Sequence, residues 1–127
     1  MYRISSPLAV SVGRKKFILN LNNYRNVHYL TLNRAKALYK EIMKKQIEKL
    51  PQLTPPLVVT YRVYKGDKRR CDTGNVCSIH QKFFEDALVE LGKLPDDNHN
   101  IIVRSIFEWG GIDKLNPCVE IMIEEAR

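Results

Sequence analysis

The chain has 127 residues, 44% hydrophobic and 28% charged, which suits one domain with its own core and excludes a disordered tail. No apolar run approaches the roughly 20 residues that span a bilayer, and Met1-Tyr2-Arg3-Ile4-Ser5-Ser6-Pro7 has no signal-peptide core, so the expectation is a cytoplasmic protein with no membrane partner. The net charge of +7 favours a polyanionic partner.

In chain order, the basic run Arg14-Lys15-Lys16 leads into a predicted strand over Phe17–Leu21, and Asn22-Asn23-Tyr24-Arg25-Asn26 reads as turn or loop. Asn33 is a reasonable N-cap for a helix running to about Leu50. Its apolar positions Leu38, Ile42, Met43, Ile47 and Leu50, with Ala35 and Tyr39, recur at three- and four-residue spacing. Lys36, Lys40 and Lys44 form a ladder on another face: a solvated surface, or a stripe that contacts phosphates.

Pro51 and Pro55-Pro56 stop that helix. Leu57 to Tyr64, β-branched and aromatic, is the clearest strand. A polar loop, Lys65 to Arg70, precedes a second helix from Val76 to Leu91 whose buried stripe includes Ile79, Phe83, Ala87 and Leu88, with Gly92 as its stop signal. Pro95-Asp96-Asp97-Asn98 is turn chemistry. A strand over Ile101–Trp109, a loop from Gly110-Gly111 to Pro117 and a last strand over Cys118–Ile123 complete the order β-α-β-α-β-β. The pattern predicts an α/β (α+β) fold, a single domain over residues 1–127 with two helices packed on one mixed sheet.

Cys71, Cys77 and Cys118 lack CxxC spacing, and His28, His80 and His99 form no ligand pattern with them, so zinc is not expected. Cys77 and Cys118 read as small buried hydrophobes.

Charge is distributed unevenly. Residues 1–70 carry 16 Lys/Arg against Glu41, Glu48 and Asp67, net +13, and residues 71–127 carry 5 basic against 11 acidic residues, net −6. One half that grips phosphates and another that holds a cation would produce this split, although folding can also interleave the two. The acids of the second half have a pattern. Asp72-Thr73-Gly74-Asn75 opens the second helix, Lys82 and Asp86 follow on it, and Asp96-Asp97 lies in the turn beyond. At 100° per residue Asn75, Lys82 and Asp86 share one stripe, with Asn75 and Asp86 roughly 16 Å apart along the axis. Asp72 also fits as a helix cap, and Asp96-Asp97 as an ordinary turn pair.

The run from Arg69 to Asn98 resembles the RusA-type Holliday junction endonucleases, a family common in phages and prophages. The matching elements are Lys68-Arg69-Arg70, Asp72-Thr73-Gly74-Asn75, Lys82, Asp86-Ala87-Leu88 and Asp96-Asp97, and Asn22-Asn23-Tyr24-Arg25 is loosely similar to the family's Asn-rich loop. Gly74 stands where the family has a second acid, and the gap from Asn75 to Lys82 is about four residues longer, close to one helical turn. The resemblance implies Mg²⁺-dependent phosphodiester hydrolysis in DNA recombination and repair. Asp72 and Asp97 would hold the ion, with Asp96 or Asp86 assisting, and Lys82 would counter charge developing at the phosphate. Lys68, Arg69, Arg70, Asn75, Lys82 and the Lys36, Lys40, Lys44 stripe would contact the DNA. The partner would be a four-way junction or other branched DNA, cut by a homodimer with two sites. The alternatives are a branched-DNA-binding protein of the same fold weakened in catalysis by Gly74, and a small basic RNA-associated protein whose acids are caps and turns.

Overall fold

In a computed structural model, which describes residues 1–126, the strand with the cleanest alternation forms the middle of the architecture. This strand, Leu57–Lys65, buries Leu57, Val59, Tyr61 and Val63 on one face and leaves Val58, Thr60, Arg62 and Tyr64 half-covered on the other. It is the fourth strand, β4. Before it come β1 (Tyr2–Ser6), β2 (Ala9–Val12), β3 (Lys15–Ile18), α1 (Leu21–Asn26) and α2 (Tyr29–Glu48); after it come α3 (Thr73–Glu90), β5 (Ile102–Ile112) and β6 (Cys118–Glu125). The main sheet has the order β1-β6-β4-β5, with β4 and β5 parallel and the other pairs antiparallel. A parallel neighbour requires a crossover, and α3 supplies it. The mixed α+β class is as the sequence predicts.

The helices cover one face of this sheet. α2 contributes Ala35, Tyr39, Met43 and Ile47 to the core, and α3 contributes Cys77, Ile79, Phe83, Phe84, Ala87 and Leu88. Tyr39 meets Phe83 edge-on at 5.5 Å between ring centres, and Phe17 stacks on the same ring at 6.1 Å. Aromatic packing of this kind adds about 1 kcal/mol per pair beyond the area buried. Cys77 and Cys118 are buried free thiols, as expected.

Both ends of α3 are fixed by side-chain and backbone chemistry. Asp72 Oδ1 accepts from the Asn75 N–H at 3.1 Å, a helix N-cap. At the other end Gly92, at φ +78°, lets the Lys93 N–H reach the Leu88 carbonyl and its own N–H reach that of Val89. Both bonds satisfy carbonyls that the last turn leaves open.

The N-terminal third departs from the sequence reading. Two further strands precede the expected one, and β2 and β3 form a hairpin of their own. Gly13, at φ +62°, makes its two-residue turn with Arg14. The expected strand over Phe17–Leu21 is shifted, because Asn20 is a helix cap, accepting from the Asn23 N–H at 2.8 Å. The expected loop at Asn22–Asn26 is therefore the short helix α1, and the sheet carries three helices where two were expected. α2 starts four residues before Asn33, with His28 as its cap through a 3.2 Å bond from the Leu30 N–H. Leu38 and Ile42, expected in the buried stripe, are exposed, because the helix turns the Ala35-Tyr39-Met43-Ile47 row to the sheet. The expected loop at Gly110-Gly111 is the end of β5, and a Cβ on Gly110 would lie 2.6 Å from the Tyr64 ring.

Candidate functional site

α3 provides one wall of an open cleft of about 480 Å³. Ser78, Gln81, Lys82, Glu85 and Asp86 line it from this helix, Tyr24 from α1, Lys36 from α2 and Asp97 from the turn before β5. Spacings of three and four along α3 put Ser78, Lys82 and Glu85 or Asp86 on adjoining faces, as helical geometry requires. Gln81 Nε2 donates to Ser105 Oγ at 3.2 Å, so this wall lies against β5.

The cleft mixes both signs of charge. The ammonium groups of Lys36 and Lys82 both lie 5.8 Å from the centre of the Tyr24 ring, one aromatic ring serving two cations. Opposite charge comes from Glu85, Asp86 and Asp97. Glu85 is almost fully buried, and its Oε2 accepts from the Tyr61 hydroxyl at 2.7 Å. Burial raises its proton affinity to about 7, and the carboxylates of Asp97 and Asp86 push the same way, outweighing the bonds from Tyr61 and Gln81. Asp86 is raised too, first by desolvation, with Asp97 and Glu90 adding to it and Lys36 and Lys82 opposing. Burial and mutual repulsion thus both favour the protonated forms of Glu85 and Asp86.

The residues singled out in the sequence divide into two groups. Lys82, Asp86, Asp97 and Lys36 meet in the cleft. Asp72 does not line it: it caps α3, about 20 Å along the helix axis from Glu85. The Asn75 side chain accepts from the Leu21 N–H at 2.8 Å, fastening α1 to α3. Asp96 is held by its own turn, taking bonds from the Asp97 N–H at 2.8 Å and from Asn98 Nδ2 at 2.9 Å. These bonds pull its carboxyl below the usual range. Lys40 is paired with Glu90 at 2.7 Å and Lys44 with Glu48 at 3.9 Å, so of the ladder only Lys36 addresses the cleft. Lys68, Arg69 and Arg70 are exposed on the loop ahead of α3.

Sequence reasoning did not single out Glu85, Gln81 or Ser78. The available signal for Glu85 was an acid next to Asp86 and flush with the apolar positions Phe84 and Leu88, which demands a buried partner. Tyr61 is that partner.

The cleft's donor set is hard oxygen, suited to Mg²⁺. Among the described residues no group of three or more His, Cys, Asp or Glu is arranged to hold a metal ion together. In comparisons with known proteins, no family model matches the chain and no curated protein matches it.

Proposed function

We propose that the protein is a metal-dependent endonuclease that hydrolyses phosphodiesters in branched DNA, four-way junctions foremost, and that it works as a homodimer. The observation that carries this reading is the cleft itself, which is lined by three carboxylates and by two lysines that both approach the Tyr24 ring. Phosphoryl chemistry needs positive charge for the phosphate oxygens and carboxylates for a divalent ion, and both lie within one cleft here.

Asp97 and Asp86 would hold Mg²⁺, which when bound supplies an activated water and Lewis acidity at the phosphate. Lys82 and Lys36, both close to the Tyr24 ring, would neutralise the non-bridging oxygens and fix the phosphate. Glu85, with proton affinity near neutrality, can hold a proton at Oε1 while Oε2 stays bonded to Tyr61. Lys68, Arg69 and Arg70 add backbone contacts without reading sequence. Asp72, which the resemblance to RusA-type enzymes nominates beside Asp97, caps α3 outside the cleft and is therefore no ligand of an ion held by Asp97 and Asp86.

A second reading, a junction-binding protein that cuts poorly, is favoured by Gly74, which supplies no side chain where the resemblance expects a carboxylate. Purified protein incubated with a labelled four-way junction, a linear duplex and a stem-loop RNA, with and without Mg²⁺, separates the readings on a denaturing gel. Mg²⁺-dependent nicks in the junction that vanish in Asp97→Asn support the nuclease. Tight junction binding without nicks supports the second reading, and preference for the RNA overturns both.

A further inference from the structure

The main sheet ends at β5, whose outer edge has no strand beside it among the described residues. An unpaired edge invites another strand, and proteins usually disrupt such edges. β5 is irregular at two points, Val103 and Gly110, where its register against β4 jumps. Between them Arg104 to Trp109 runs regularly.

On the sheet face away from the helices a row of alternating charge crosses the strands. Glu120 of β6 sits opposite Arg62 of β4, which sits opposite Glu108 of β5. Arg62 holds Glu108 at 2.6 Å and Glu120 at 3.6 Å, and Arg3 of β1 reaches Glu120 at 3.8 Å. The row therefore stops on a partly exposed acid at the open edge. Four residues before it, on the same face, Arg104 is exposed and has no ion-pair partner among the described residues.

We propose that β5 pairs antiparallel with β5 of a second copy of this chain, with the two-fold axis at Ile106. This register sets Arg104 against the partner's Glu108 and Glu108 against the partner's Arg104, so Arg104 gains a counter-charge and Glu108, already held by Arg62, gains a second cation. Ile106 meets its own symmetry mate. Val103 and Trp109, exposed at 51% and 46%, lie at the two ends of the paired segment. Centring the axis on Glu108 or on Arg104 would instead face like charge with like, which destabilises directly opposed pairs.

A two-fold axis perpendicular to the sheet keeps the helices of both copies on one side. The cleft wall on α3 adjoins β5 through Gln81 and Ser105, so the two clefts would flank the axis on a common face. The pairing rests on strand chemistry and not on the nuclease reading, and its assay contains no DNA.

Sedimentation velocity of the full chain at micromolar concentrations is expected to show a dimer. Arg104→Glu, at an exposed side chain, is expected to weaken it at least about tenfold, whereas Arg104→Lys retains it. Ile106→Cys is expected to cross-link to itself under mild oxidation, because directly opposed residues bring the thiols within disulfide range, while Val103→Cys does not. A monomer at all concentrations overturns the proposal, as does a dimer that tolerates Arg104→Glu and fails to cross-link at position 106.

Discussion

Glu85→Gln isolates the electrostatic cost of the cleft. In the folded chain the Glu85 carboxyl is raised from 4.5 to about 7. Between those values the folded state holds a proton that the unfolded state has released, so stability falls as pH rises through the window. At about 1.4 kcal/mol per pH unit the full penalty above pH 8 approaches about 3 kcal/mol, an upper bound because the cleft is open to water. His80 works in the opposite sense. Buried and lowered to about 3, its imidazole stabilises the fold above 6.5 and withdraws that contribution as pH falls. The two slopes overlap below 6.5, so the difference between wild type and variant is the informative quantity. Gln keeps an oxygen to accept the Tyr61 bond and never ionises. Urea unfolding, followed by fluorescence of the single tryptophan, Trp109, is expected to give near-equal stabilities at pH 5 and a gain of about 1–3 kcal/mol for the variant at pH 8. Adding Mg²⁺ at pH 8 is expected to stabilise wild type more than Glu85→Gln, because the ion relieves the crowding that the variant lacks. A stability difference that stays constant from pH 5 to pH 8 refutes the reasoning, for Glu85 then ionises as a surface carboxylate does.

Asp97→Asn is expected to abolish junction cleavage while leaving binding within a few-fold, measured by gel assay and fluorescence anisotropy. Asp72→Asn is expected to keep stability within about 0.5 kcal/mol, since Asn caps as well as Asp, and to lose less cleavage than Asp97→Asn. Junction affinity is expected to fall steeply with salt, with a log–log slope of about −5 for six phosphate contacts. Lys36→Ala should lower that slope by about 1 and Lys44→Ala, already paired with Glu48, by much less. Gly74→Asp is expected to leave the Mg²⁺ concentration for half-maximal cleavage unchanged, because position 74 lies about 18 Å along α3 from Asp86, and a fall would instead move the ion to the Asp72 end of the helix. Gly74 has no positive φ, and its added Cβ would stand 3.5 Å from Asp72 Oδ1, an ordinary contact that brings two carboxylates together.

Where one signal dominated, the fold was legible. β4 announces itself because a run of β-branched and aromatic residues has nothing to favour helix, and α3 because its cap, apolar stripe and closing glycine agree. The N-terminal third was misread for a different reason. β1, β2 and β3 are four or five residues each, and α1 is six, too short for a periodicity to emerge. The Asn-rich stretch is polar enough for a loop, and its helix is held by the Asn20 side chain three residues back from Asn23 and by Asn75 from across the fold. On α2 two apolar rows compete, Ala35-Tyr39-Met43-Ile47 and Leu38-Ile42. The choice between them is made by Phe83 and by β2, which sequence spacing cannot see.

The candidate site was half-legible, and the division follows the helix. Lys82 and Asp86 are one turn apart on α3, so local geometry unites them wherever the helix packs. Asp97 joins them only because the turn before β5 returns alongside the middle of α3, a consequence of the parallel β4–α3–β5 crossover. Asp72 shares the motif with them in sequence and not in space, since a cap is bound to its helix end by the bond it makes. Glu85 was hidden by its neighbour. Next to Asp86 it reads as one more surface acid unless its place against Phe84 and Leu88 is weighed, and Tyr61 on the adjacent strand holds it inside. A carboxylate that an inward-facing strand tyrosine keeps buried, within the field of two further acids, is a costly arrangement for stability alone. That cost becomes useful if a cation and a phosphate complete the cleft, and the stability of Glu85→Gln across pH, with and without Mg²⁺, measures both sides of that exchange.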